Sequence, residues 1–145
     1  MKVKECMCNN VKFVDQNATI WDLAKMMNDN HIGCIPVCNN EKNVVGIVTD
    51  RDIIMRGIAC DKNYKDTKVT DIMTCNVCCC DVNFEVEDAQ KLMSQNAVRR
   101  LPITENNKLV GILSIGDLAQ NDNIKSKNAW NTLENICDCK TKNAE

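Results

Sequence analysis

Aromatic side chains are scarce: two Phe, two Trp and one Tyr in 145 residues, 3% of the chain. Ile, Val, Met and Cys must therefore fill the core. There are only five glycines and two prolines, and none of the glycines sits in a Walker-type loop that would cradle a phosphate. A single histidine, and no nucleophile with an evident base, argue against an enzyme. No stretch approaches the roughly 20 apolar residues that cross a bilayer. The opening Met1-Lys2-Val3-Lys4-Glu5-Cys6 lacks the apolar run of a signal peptide, so a cytoplasmic location is expected. A net charge of −2 gives no field to draw the chain to nucleic acid or to a membrane. At this length the chain is the size of one ordinary domain and can bury a real core.

Cysteine is abundant instead: eleven, an odd number. A secreted disulfide scaffold would be shorter and less regular. Here Cys34, Cys38 and Cys78 to Cys80 lie inside regular apolar patterns, where reduced thiols act as small core residues. Cys78-Cys79-Cys80 reads as strand, so its side chains alternate faces and cannot converge on one metal. The pairs Cys6-x-Cys8 and Cys137-x-Cys139 are the alternative, four thiolates for a metal or a redox function if the chain ends meet. Their spacing is shorter than the usual C-x₂₋₄-C, and no metal is assigned. His31 reads as a helix-end residue complementing the dipole.

The chain is organised around Gly46-Ile47-Val48-Thr49-Asp50-Arg51-Asp52-Ile53. The same chemistry returns 65 residues on, at Gly111-Ile112-Leu113-Ser114-Ile115-Gly116-Asp117-Leu118. Upstream, an offset of 66 pairs Val3 with Val69, Met7 with Met73, Val11 with Val77, Asp22 with Asp88 and Pro36 with Pro102. One extra residue near Asn43, where a turn is expected, accounts for the change of offset. Two copies of a unit of about 60 residues suggest a closed pair rather than an open solenoid.

Each copy reads β-α-β-β-α, giving an α+β fold. Val11 to Val14 is a strand. Thr19 opens a helix with Asp22 three residues on, and Ile20, Leu23, Ala24 and Met27 form its apolar stripe. Cys34 to Cys38 is a strand whose proline places it at an edge or beside an opening. A turn at 39–43, a buried strand Val44 to Thr49 and a helix from about Asp50 to Arg56 follow. The second copy repeats the order: strand 77–80, helix 85–95, strand 100–104 and strand 109–114, with a helix from Ile115. A last helix is expected from Lys125 to Ile136, with Trp130, Leu133 and Cys137 on one face, and a polar tail from Lys140. The expected organisation is therefore 1–60 for the first copy, 61–65 for a linker, 66–121 for the second copy, and 122–145 for the final helix and tail.

The β-α-β-β-α order, Asp71-Ile72-Met73-Thr74, the proline strands and the paired Gly-x-x-Ser/Thr-x-x-Asp signatures together resemble the CBS domain. Two in tandem form a Bateman module, and no catalytic or transport domain is attached, so the chain resembles a stand-alone pair with pseudo-twofold packing. The resemblance implies a non-catalytic regulatory module that holds AMP, ADP, ATP, S-adenosylmethionine or a related adenosyl ligand in clefts between the two units. By position the implied ligand residues are Thr49, Arg51 and Asp52 in one site, and Ser114 and Asp117 in the other. Ile35-Pro36-Val37 and Leu101-Pro102-Ile103 would line the adenine slots. No cofactor is required, and a homodimer signalling to a separate effector protein is implied.

Physical reasons stand beside the resemblance. A carboxylate accepts both hydroxyls of a ribose diol, a helix start offers N–H groups to a phosphate, and an apolar proline strand makes a flat wall for a purine. Arg99 and Arg100 precede the second proline strand, whereas Gly33 and Cys34 hold those places in the first. The two sites are thus unequal, and the phosphorylated ligand belongs beside the arginines. The bland readings are plain helix caps for Thr49, Ser114, Asp52 and Asp117, and a solvated pair for the arginines. A structural interaction module with vestigial clefts is the remaining rival.

Overall fold

In the computed structural model of this chain the backbone is described for residues 1–124 and 126–144, and side chains for the same residues except 126 and 138–144. The first copy forms β1 (Val14–Asp15), α1 (Ile20–Asn30), β2 (Cys34–Cys38), β3 (Val44–Thr49) and α2 (Asp50–Asp52), which runs on as a π-helical turn over Ile53–Ile58. The second forms β4 (Cys80–Asp81), α3 (Val86–Asn96), β5 (Arg100–Glu105), β6 (Lys108–Ser114) and α4 (Ile115–Gln120), followed by α5 (Ser126–Ala144). Strands β1 and β4 are shorter than expected and start later. Among the described residues no helix is long and apolar enough to cross a membrane.

Two three-stranded sheets result, ordered β1-β2-β3 and β4-β5-β6. In each, the first strand pairs parallel and the last antiparallel with the central one. The proline strands are therefore central by order, not at an edge. The ladder explains why a proline is tolerated there: β1 reaches only Val37 and Cys38, and β4 only Ile103 and Thr104. Pro36 and Pro102 lie just before those pairs, so the missing donor leaves no rung open on that side. Both central strands also carry the same register shift, after Val37 and after Ile103.

The compact units cut the chain elsewhere than the repeats do. One is Lys12–Val77; the other joins Met1–Val11 to Cys78 and everything after it. Each copy's leading segment has therefore crossed to the partner copy's strands and helices. Thr74 exchanges backbone hydrogen bonds with Ile47 at 2.9 and 3.0 Å, and Cys8 does the same with Ile112. Val69 is fully buried in the core with Leu23, Ile35, Val37 and Val48; Val3 is fully buried with Met93, Leu101, Ile103 and Leu113. A glycine is required where each leading segment crosses the last strand. A Cβ on Gly46 would collide with Met73 Sδ, and one on Gly111 would lie 2.7 Å from Met7 Sδ and 2.9 Å from the Cys8 carbonyl.

Helix α1 starts as its sequence dictates. Thr19 accepts from the Asp22 N–H at 3.2 Å, and Asp22 accepts from the Thr19 N–H at 3.0 Å. Ile20, Leu23 and Met27 form its buried stripe. Helix α5 differs from expectation. It buries Ala129, Thr132 and Ile136, one residue earlier than the anticipated face, and leaves Trp130 64% exposed and Cys137 exposed. Small Ala129 lets α5 approach the helices it covers, which Trp130 could not. Lys125, the expected first residue of this helix, lies outside the described residues.

Candidate functional site

The residues singled out in the second copy converge. Arg100 sits opposite Ser114 where β5 meets the end of β6. The Arg99 carbonyl accepts from the Ile115 N–H at 2.9 Å, tying the arginine pair to the start of α4. Ser114 and Asp117 close a capping box. The Ser114 N–H donates to Asp117 Oδ2 at 2.7 Å, its hydroxyl donates to the same oxygen at 2.8 Å, and the Asp117 N–H donates to Ser114 Oγ at 3.1 Å. One carboxylate oxygen is thus spent on the helix start and Oδ1 lies outside the box. Arg99 and Arg100 are both exposed.

The first copy repeats the frame with different occupants. Cys34 sits opposite Thr49, and the Gly33 carbonyl accepts from the Asp50 N–H at 3.0 Å. The Thr49 N–H donates to Asp52 Oδ2 at 2.9 Å and the Asp52 N–H returns to Thr49 Oγ1 at 3.2 Å. Here the second oxygen, Oδ1, faces Arg56 Nε at 3.9 Å. The same guanidinium donates to the Ile72 carbonyl at 3.1 Å and to Thr74 Oγ1 at 3.3 Å. Arg56 thus bridges the aspartate to the leading segment of its unit. Arg51 is turned to Met55, with Nε 3.1 Å from the thioether sulfur.

Several expectations change in detail. Most helix-start N–H groups meant for a phosphate are already taken: those of Ile115 and Asp50 by carbonyls, those of Asp117 and Asp52 by the caps, and that of Arg51 by Asp50 Oδ1, which leaves the Gly116 N–H at the start of α4. Ile35, Val37, Leu101 and Ile103 are fully buried in the two cores, so their side chains face away from any slot. Pro36 and Pro102 alternate to the opposite face of their strands and are buried as well. Arg56 and the crossing of the leading segments were not singled out from the sequence. The i, i+4 spacing of Asp52 and Arg56 was the available signal for the arginine.

The thiols divide: Cys38 and Cys80 are buried core groups, whereas Cys8, Cys60, Cys75 and Cys137 are exposed. Burial, with a smaller contribution from neighbouring Cys78, lifts the Cys79 thiol to about 11 and the Cys80 thiol to about 12. Cys6 is raised by burial first and by the charge of Asp117 second. Cys6, Cys8, Cys60, Cys75 and Cys78 to Cys80 are free thiols. Among the described residues no three His, Cys, Asp or Glu side chains gather as a metal site. Cys139, one ligand of the four-thiolate alternative, has its side chain outside the described residues.

The CBS domain family model matches residues 3–58 and again 69–122. The CBS domain-containing protein YhcV of Bacillus subtilis is 39% identical over 135 residues, covering 92% of this chain and 94% of that protein. Hypoxic response protein 1 of Mycobacterium tuberculosis is 26% identical over 117 residues, 81% of this chain and 82% of its own. A crystal structure of Hypoxic Response Protein I, with two coordinated zinc ions, aligns with a TM-score of 0.77 over 83% of this chain and 98% of that one. The CBS domain protein PAE2072 from Pyrobaculum aerophilum, solved with AMP, shares the fold at a TM-score of 0.78 and 24% identity, over 90% of this chain and 99% of that one. With two family matches in register with its two sheets, the chain belongs to the CBS domain family, as a tandem pair.

Proposed function

We propose that this protein is a non-catalytic regulatory module. It binds an adenine nucleotide or related adenosyl ligand, such as AMP, ADP, ATP or S-adenosylmethionine, at the Asp117 face of its second-copy unit, and signals the bound state to a partner by a change of conformation. The observation that supports this is the meeting of Arg99, Arg100, Ser114 and Asp117 where β5 and β6 run into α4. In this reading Asp117 Oδ1 accepts the ribose hydroxyls while Oδ2 holds the helix start. With the Ile115 and Asp117 N–H groups consumed, the arginines take the phosphate. Planar guanidinium groups suit that task. At the first-copy site Arg56 answers Asp52 internally and no cation stands at Gly33 or Cys34, so that site stays weak or empty.

The test is a calorimetric titration of ATP into the full chain and into the Arg99→Ala/Arg100→Ala double variant. Losing two charge-assisted hydrogen bonds costs at least about 2 kcal/mol, roughly thirtyfold in affinity. Unchanged affinity in the double variant rejects the arginine grip, and no heat with any of the four ligands rejects the module reading.

A further inference from the structure

We propose that the groove between α1 and the π-helical turn Ile53–Ile58 docks a helix of a separate protein, one with large apolar side chains on one face and acidic residues beside them. This deepens, and rests on, the regulatory reading: it names the surface that meets the partner. The groove holds about 340 Å³. Buried Ile20 and half-buried Ala24 and Ile53 form its floor, and Trp21, Ile58 and Tyr64 stand exposed around it. Ile54, also exposed, continues the apolar surface beside Ala24 and Ile53. Exposed apolar side chains gathered in one place mark an interaction site, whereas scattered ones do not.

The second copy shows what covers such a face. There α5 lies across α3 and α4 and packs Ala129 and Ile136 into one core with Val86 and Leu118. Ile20 and Ile53 hold the places of Val86 and Leu118 in the first copy. That copy has no counterpart of α5: a short loop, 59–68, leads from the π-helical turn into the next leading segment. The exposed residues differ accordingly. Trp21, Ile54 and Ile58 stand where the second copy has Glu87, Ala119 and Asn123. The copy closed by its own helix is polar or small at these places, and the open copy is apolar. The occupant is a single ridge. Two copies meeting groove to groove would leave both grooves unfilled, whereas side chains at i, i+3, i+4 and i+7 of one helix fill a groove between two others. Charge sets its flanks. Lys25 Nζ lies over the Trp21 ring at 5.8 Å, Lys65 Nζ lies over the Tyr64 ring at 5.9 Å, and Lys62 lines the groove. Among the described residues, Asp61 is the one anion lining it, and Asp22 is spent on the Thr19 cap. The excess of lysine favours acidic flanks on the partner.

The experiment uses the full chain with Trp130→Phe, which leaves Trp21 as its sole tryptophan. No nucleotide is added, so its outcome and that of the ATP titration are separate results. The probes are two stapled helical peptides with Leu at i, i+3, i+4 and i+7, one with Glu and one with Lys at the remaining positions. The expected result is a saturable blue shift of Trp21 emission with the Glu peptide, and binding of the Lys peptide about tenfold weaker. Ile58→Glu, at a position 69% exposed, weakens the Glu peptide about tenfold. Lys62→Glu/Lys65→Glu, also on the surface, reverses the preference between the peptides. No saturable shift, equal binding of the two peptides, or unchanged affinities in either variant would overturn the proposal. So would a chain that self-associates with Trp21 already shielded and is dispersed by Ile58→Glu, because the face would then belong to a second copy.

Discussion

At Asp117 one carboxylate oxygen lies outside the capping box, whereas at Asp52 the matching oxygen faces Arg56. Asn121 stands where Arg56 would be expected, and its side chain turns back to accept from the Asn123 N–H at 3.0 Å. The strands, caps and register shifts around the two aspartates are otherwise alike. Duplication therefore preserved the frame, and what differs is the group that answers each carboxylate: an internal guanidinium at Asp52, and no ion pair at Asp117 among the described residues. The same frame thus carries an aspartate with an internal cation in one unit and without one in the other.

The largest effect that would sharpen this contrast lies at the glycines. In Gly111→Ala the new methyl meets a backbone carbonyl that cannot swing aside, whereas in Gly46→Ala it meets only the Met73 side chain, from Cγ outward, which can change rotamer. Overpacking of this kind costs typically 1–3 kcal/mol, so about 3 kcal/mol is expected at Gly111 and about 1 kcal/mol at Gly46, by denaturant unfolding. Equal losses would show that the two leading segments are held alike.

A smaller effect separates the ends of the two long helices. Both α1 and α3 end on a residue in the left-handed region, His31 at φ 53° and Ala97 at φ 52°. Histidine tolerates that region better than alanine does. Ala97→Gly should therefore raise stability by about 1 kcal/mol, and His31→Gly by less. Thermal unfolding of the two variants checks the order.

The smallest effect is on pH. Lys2 holds the Glu85 carboxyl below the usual carboxylate range through a 2.5 Å ion pair, fastening the leading segment to the start of α3. A depressed carboxyl pKa stabilises above the unfolded value of 4.5 and loses that contribution as pH falls through the folded value. In the other unit Lys68 Nζ meets the neutral Asn17 Oδ1 at 3.4 Å. Amide-exchange protection of Val86, whose N–H donates to the Met1 carbonyl, should fall below about pH 4.5, while that of Val69, which donates to Ala18, holds. Parallel loss at both amides would remove the distinction.

Much of this was legible in the residues. The Gly-x-x-Ser/Thr-x-x-Asp order located both capping boxes, because a side chain three residues past an N-cap has one place to reach. The apolar stripe of α1 came straight from its period. The crossing of the leading segments was not legible: Val3 and Val69 look alike, and a period says nothing about which copy's core each will enter. Arg56 was hidden for a related reason, since two of its partners, Ile72 and Thr74, lie 16 and 18 residues away. The face of α5 was misjudged because Trp130 looked like a core residue, while close helix packing favoured Ala129.

The most direct test of the unequal pair is the number of AMP molecules bound per chain, measured by calorimetry for the wild type, Asp117→Ala and Asp52→Ala. The account predicts one tight site that Asp117→Ala abolishes and Asp52→Ala leaves in place. Two equivalent sites, or a single site lost with Asp52 rather than Asp117, would contradict it.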